Sequence, residues 1–289
     1  MSIGPLVDVA WLAGHLADAN LLVFDTTKYL PNEPGDGFAD YRAGHIPGAR
    51  YWDADLVSDP DSDLPSTVPS AARFAAAAGR LGIGPAVRAV FSDRQGLSTA
   101  ARAWWLLGLF GHDEAAVLDG GLPKWVSAGH PLDDLLPPPP APRVFTPSFR
   151  ATRLRGIGDV VANLESRAER VVDARAASRF AGNGAEPRPG LRSGHIPGSR
   201  NLPYTALLET DFTFPDRESL RRRLAAVGID GSTPVVTTCG SGVSAAILNL
   251  GLVLAGLPLG ALYDVSWTYW ISRADTPVER RTDTCVAGQ

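Results

Sequence analysis

Apolar residues run along this chain in two rhythms. Short runs that end in a polar residue, such as Leu21-Leu22-Val23-Phe24-Asp25 and Arg170-Val171-Val172-Asp173, read as buried strands. Longer stretches with helical spacing separate them. In the second half, a strand Pro234 to Thr238 is followed by a helix from about Val243 to Ala255 and a strand Ala261 to Tyr263. Strands alternating with helices imply parallel pairing through helical crossovers, hence an α/β fold.

The pattern occurs twice. Gly44-His45-Ile46-Pro47-Gly48 returns unchanged as Gly194-His195-Ile196-Pro197-Gly198, and Val90-Phe91-Ser92-Asp93 parallels Val236-Thr237-Thr238-Cys239. Val117-Leu118-Asp119 with Trp125 parallels Leu262-Tyr263-Asp264 with Trp270. All these offsets lie between 145 and 150, so the chain reads as two homologous domains in tandem. We expect domains at 1–136 and 151–289, each a mainly parallel sheet flanked by helices. The proline-rich segment 137–150 is the expected linker, extended and semi-rigid.

Composition narrows the class. The 289 residues are 45% apolar and 20% charged, enough for sizeable cores and unlike a disordered or fibrous chain. Two cysteines exclude a disulfide framework and suit a reducing compartment. Met1 to Leu12 lacks the pattern of a secretory signal, so a cytoplasmic location is expected. Net charge is −4, but residues 1–137 carry −8 and residues 138–289 carry +4. That balance argues against nucleic-acid binding and allows a small anion to be drawn to the second half. Gly231 to Tyr263 has no charged residue, yet its prolines and glycine turn suit a buried strand, turn and helix better than a membrane span.

The chemistry concentrates at Cys239-Gly240-Ser241-Gly242-Val243-Ser244-Ala245, a turn between a buried strand and a helix. Its glycines let successive N–H groups point inward as an anion-binding nest, and the helix adds its positive end. A thiol at the mouth of that cradle is favoured in its ionised, nucleophilic form. The first half has Asp93-Arg94-Gln95-Gly96-Leu97-Ser98 at the same place, so it should lack a nucleophile.

The tandem layout, the paired G-H-I-P-G segments and the C-G-S-G-V-S-A loop resemble the two-domain rhodanese family of sulfurtransferases, over about Leu6 to Trp270. The loop is most similar to that of members using 3-mercaptopyruvate. Thiosulfate-using members more often place basic residues where Gly240 and Ser241 stand. The resemblance implies sulfur transfer from 3-mercaptopyruvate through a Cys239 persulfide, releasing pyruvate. The acceptor would be cyanide or a thiol, such as thioredoxin or a small thiol, and no metal or organic cofactor is implied. Gly240, Gly242, Val243 and Ser244 would cradle the anionic donor. Arg179 and Arg188 would bind its carboxylate, for which the guanidinium fork is suited. Arg175 would be structural. A relay of Ser241, His45 and Asp36 would support Cys239, with Asp40 a rival for Asp36.

The family segment Y-D-G-S-W-x-E-W departs here to Tyr263-Asp264-Val265-Ser266-Trp267-Thr268-Tyr269-Trp270, which bears on substrate choice. Two alternatives stand beside the first reading: a thiosulfate sulfurtransferase, and a persulfide carrier for a protein partner. A cysteine phosphatase is disfavoured, because its phosphate-clamping arginine is replaced by Ala245. Cys285 reads as an incidental cysteine, Arg221-Arg222-Arg223 as a solvated helix face, and Trp104 and Trp105 as core.

Overall fold

The structure, a computed structural model, describes residues 3–187 and 192–280. Strands β1 (Leu6–Val7), β2 (Leu21–Asp25), β3 (Arg50–Tyr51), β4 (Arg88–Ser92) and β5 (Ala115–Leu118) form one sheet in the order β1-β5-β4-β2-β3. Strands β6 (Leu154–Arg155), β7 (Arg170–Asp173), β8 (Arg200–Asn201), β9 (Val235–Thr238) and β10 (Ala261–Tyr263) form a second in the order β6-β10-β9-β7-β8. Adding five to each label converts one order into the other, and every pairing is parallel. The repeat in the sequence is therefore a repeat in space. β5 and β9 are buried along their whole length, as a parallel sheet covered on both faces requires.

The helices Ser98–Leu109 and Ala245–Leu254 follow equivalent strands and pack against each other. One apolar cluster consequently spans both halves, including Phe91, Leu107, Leu248 and Leu250. Eight of the ten residues in Ala245–Leu254 are buried, which accounts for the uncharged stretch. Among the described residues no helix is long and apolar enough to cross a membrane. That helix begins at Ala245, two residues later than its pattern predicts. Gly242 takes φ +81°, and tight bonds from Ala246 N–H to the Val243 carbonyl and Ile247 N–H to the Ser244 carbonyl precede the regular turns.

Two aspartates stitch the halves together by the same geometry. Asp264 accepts the Val68 amide at 2.7 Å, and Asp119 accepts the Phe214 amide at 2.9 Å. Asp264 also pairs with the buried guanidinium of Arg102 at 3.0 Å. The counterpart of Arg102 in the second half is Leu248, so Asp119 has no equivalent cation. Burial pushes Asp119 up to about 6. The proline-rich segment is docked on the first half: Arg50 donates to the Pro138 carbonyl at 2.6 Å, and Arg143 N–H to that of Gly79 at 2.9 Å.

Candidate active site

Cys239 is the first residue after β9 and is 2% exposed. Its loop is held from the outside by its carbonyls. Trp267 N–H donates to the Cys239 carbonyl at 3.0 Å, and Thr268 reaches that of Gly240 through its N–H at 2.9 Å and its hydroxyl at 2.7 Å. Arg102 Nη1 donates to the Gly242 carbonyl at 3.2 Å. With these carbonyls turned outward, amides of the turn face the other way, the arrangement of an anion nest. Gly242 N–H donates to Cys239 Sγ at 3.1 Å.

The first half supplies an internal comparison. At the equivalent place the Asp93 carboxylate accepts the amides of Gln95, Leu97, Thr99 and Ala100 and the Thr99 hydroxyl, all within 3.1 Å. The same loop design thus binds an anion where the chain itself provides one. A carboxylate there satisfies the cradle and leaves no nucleophile.

Cys239 opens into a cavity of about 430 Å³ between the two halves. Gly240, Ser241, Val243, Ser244, Arg175 and Arg179 line it from the second half. Arg179 Nη2 lies 3.1 Å from where a Cβ on Gly240 would stand, so its guanidinium roofs the turn. Glu186, 3% exposed in its side chain, pairs with Arg179 at 2.5 Å and with Arg175 at 2.9 Å. Arg175 is 1% exposed, grips Asp173, and stacks 4.5 Å above the Trp267 ring. Ser241 is buried and lines the cavity.

Three expected site residues are elsewhere. His45 does not line the cavity: it is fully buried, its Nδ1 bonds to the Tyr41 carbonyl at 2.8 Å, and its ring stacks on Tyr41. Its repeat His195 makes the matching bond to the Phe180 carbonyl and stacks on Phe180. Both histidines pair by backbone with a downstream acid, Asp133 and Glu279, so the shared segment staples each half. Asp36 caps the helix Gly37–Ala43 by accepting the Phe38 and Ala39 amides, and does not touch His45. Asp40 accepts the Tyr29 hydroxyl, a bond that raises the phenol above its usual range. Arg188 and Cys285 lie outside the described residues.

Several cavity residues were not singled out in the sequence: Lys28, Tyr29, Glu33, Ser66, Thr99 and Tyr204. Lys28, Tyr29, Glu33, Ser66 and Thr99 reach the cavity only because the halves dock, Tyr204 joins it from the second half, and no local motif marks any of them. Ser266 lies in the segment that departs from the family pattern. It accepts the Cys239 N–H at 3.1 Å and donates to the Tyr263 carbonyl at 2.8 Å. Its neighbour Val265 stands at φ +53°, a left-handed conformation costly for a β-branched residue, where the first half has Gly120 at +73°. The replaced family glycine therefore marks backbone strain beside the cysteine turn.

The Rhodanese-like domain family matches twice, at residues 8–128 and 157–273. The chain belongs to the rhodanese family. It is 40% identical over 275 residues to the 3-mercaptopyruvate sulfurtransferase of Homo sapiens, covering 93% of this chain and 92% of that protein. It is 37% identical over 276 residues to the thiosulfate sulfurtransferase of Gallus gallus, covering 93% and 94%. The crystal structure of SseA from Escherichia coli, a 3-mercaptopyruvate sulfotransferase, superposes with a TM-score of 0.82 at 31% identity, covering 92% of this chain and all of the other. This rhodanese-family chain thus carries both tandem domains, with its cysteine in the second.

Proposed function

We propose that the protein is a sulfurtransferase that moves sulfur from 3-mercaptopyruvate through a Cys239 persulfide to a thiol or cyanide, releasing pyruvate. The observation that carries this reading is the strand-to-helix turn in which the Gly242 amide donates to Cys239 Sγ and the Arg179 guanidinium stands over Gly240. The Cys239 thiolate attacks the donor sulfur. A sulfur–sulfur bond forms, the carbon–sulfur bond breaks, and its electron pair leaves on the pyruvate enolate, which takes up a proton. The amides and Arg179 are placed to stabilise the charge on the departing group, with Arg188 in the same role by family resemblance. Ser241 and Ser244 supply hydroxyls in the turn. His45 and Asp36 do not line the cavity and carry no step of this reaction.

The turn has Gly240 and Ser241 after the cysteine and therefore offers no extra cation to a doubly charged donor. This favours 3-mercaptopyruvate over thiosulfate, the donor named for the Gallus gallus relative. A cytoplasmic location belongs to the same proposal and rests on the cysteine usage. The direct test is intact-protein mass after treatment with 3-mercaptopyruvate. One sulfur atom is expected on the wild type and none on Cys239→Ala. Comparing kcat/KM for the two donors then decides between them, and a strong thiosulfate preference would reverse the assignment. Repeated turnover with a small thiol separates an enzyme from a persulfide carrier, which would give a single stoichiometric burst.

A further inference from the structure

We propose that the first-half wall of the cavity is an acceptor subsite, and that Lys28 and Glu33 select a small thiol bearing both a carboxylate and an ammonium group. The inference rests on the sulfur-transfer reading above and concerns its second half-reaction.

Volume is the first argument. A cavity of about 430 Å³ falls in the range that houses ligands of roughly drug size. A three-carbon keto acid held at the cysteine turn fills only part of it. The remaining space is bounded by Lys28, Tyr29, Leu30, Pro31 and Glu33, which follow β2, and by Pro65 and Ser66.

Charge is the second. Among the described lining residues Lys28 is the one cation contributed by the first half. Its ion pair is with Asp55, whose side chain is 77% exposed, and such a surface pair is weak enough to exchange for a ligand carboxylate. Glu33 folds back on the same turn, its Oε2 accepting the Leu30 N–H at 2.9 Å. A cation, an anion and the apolar Leu30 thus sit within six residues of one wall. Opposite them, the guanidiniums of Arg175 and Arg179 are both paired with Glu186. The wall that follows β2 thus offers partners to a zwitterion, while the cysteine turn offers the Gly242 amide to an anion.

The step balances within the sulfur atoms. The acceptor thiolate attacks the outer sulfur of the Cys239 persulfide, forming one sulfur–sulfur bond as the Cys239 bond breaks. The electron pair returns to Sγ, where the Gly242 amide receives it, and the acceptor departs as a persulfide.

The test is steady-state pyruvate release at saturating 3-mercaptopyruvate with three acceptors: L-cysteine, 3-mercaptopropionate, which lacks the ammonium, and 2-mercaptoethanol, which lacks both charges. Lys28→Gln should raise KM about tenfold for the first two, the effect of one lost charge-assisted contact, and leave 2-mercaptoethanol unaffected. Lys28→Arg should restore most of the loss. Glu33→Gln should raise KM for L-cysteine alone. An equal change for all three thiols, or none for any, overturns the proposal. The single-turnover pyruvate burst reports the donor step separately: its absence in the wild type would refute the sulfur-transfer reading and not the choice of acceptor.

Discussion

Asp93 and Cys239 occupy the same point in the two halves, each the first residue beyond a central strand, and each faces the amides of its own loop. One is a fixed anion with five hydrogen bonds; the other is a sulfur with one from Gly242. The duplicated loop thus serves as a structural anchor in one copy and as the proposed reaction centre in the other. Asp93→Ala should leave buried amides unpaired and cost about 3 kcal/mol, since each orphaned donor costs about 1–3 kcal/mol. Urea unfolding checks this, and a loss below about 1 kcal/mol would mean that water replaces the carboxylate without penalty. The double variant Asp93→Cys/Cys239→Ala should take up no sulfur. The place of Arg175 is held in the first half by Thr27, and the matching histidine contacts of Tyr41 and Phe180 put Asp40 at the place of Arg179; neither can bind the donor carboxylate.

The unequal surroundings of Asp119 and Asp264 set a pH dependence. Burial raises Asp119 to about 6 with the Phe214 amide its main compensation, so folding disfavours its ionised form. This cost is absent below the unfolded carboxylate's range near 4 and complete above about 6. Asp119→Asn keeps an oxygen acceptor for Phe214 and removes the charge. It should stabilise the protein at pH 7.5 by about 1 kcal/mol, after discounting for partial exposure, and lose that advantage as the pH falls from 6 towards 4. Denaturation midpoints across that range would show it. A constant difference at every pH would mean that the carboxylate is not the titrating group.

Arg102 supports both the interface and the cysteine turn, because it holds Asp264, the Ser66 carbonyl and the Gly242 carbonyl. Replacing it with methionine strands Asp264 in a buried site, and breaking such a pair from one side costs about 3–5 kcal/mol. We expect Arg102→Met to lower the unfolding free energy by about 3 kcal/mol and to reduce kcat as well. Arg102→Met/Asp264→Leu should recover much of the stability without recovering kcat, since the Gly242 carbonyl remains unanchored. Full recovery of both would show that the guanidinium does not help shape the turn.

The two-fold repeat, the parallel sheets and the cysteine turn were legible because each is written in contiguous residues: apolar runs, a copied pentapeptide, and glycines at the strand end. Boundaries held to within a residue or two. The shift of the helix start to Ala245 arose from the positive φ of Gly242, which propensity does not register. The far wall was invisible, because Lys28 belongs to the first half and reaches the Cys239 cavity only through docking of the halves. His45 illustrates the opposite hazard. Its segment occurs in both halves, and the packing shared with His195, a ring over an aromatic side chain and Nδ1 on a carbonyl, assigns the copied motif a structural task.

Gly240 offers the sharpest probe of donor binding. A Cβ there would stand 3.1 Å from Arg179 Nη2, too close for ordinary contact, and the flexible arginine is the part able to give way. Glu186 resists that movement, because its buried carboxylate grips both Nε and Nη2 of Arg179. Gly240→Ala should therefore tilt the guanidinium away from the turn while leaving Cys239 and the other amides of the loop in place. We expect KM for 3-mercaptopyruvate to rise about tenfold, the loss of one charge-assisted contact, with a smaller change in kcat. Adding Glu186→Gln to Gly240→Ala loosens the grip on Arg179, lets the guanidinium yield further and should raise KM again. A fall in kcat with KM unchanged would mean that Arg179 acts on the departing enolate alone, and not in holding the donor.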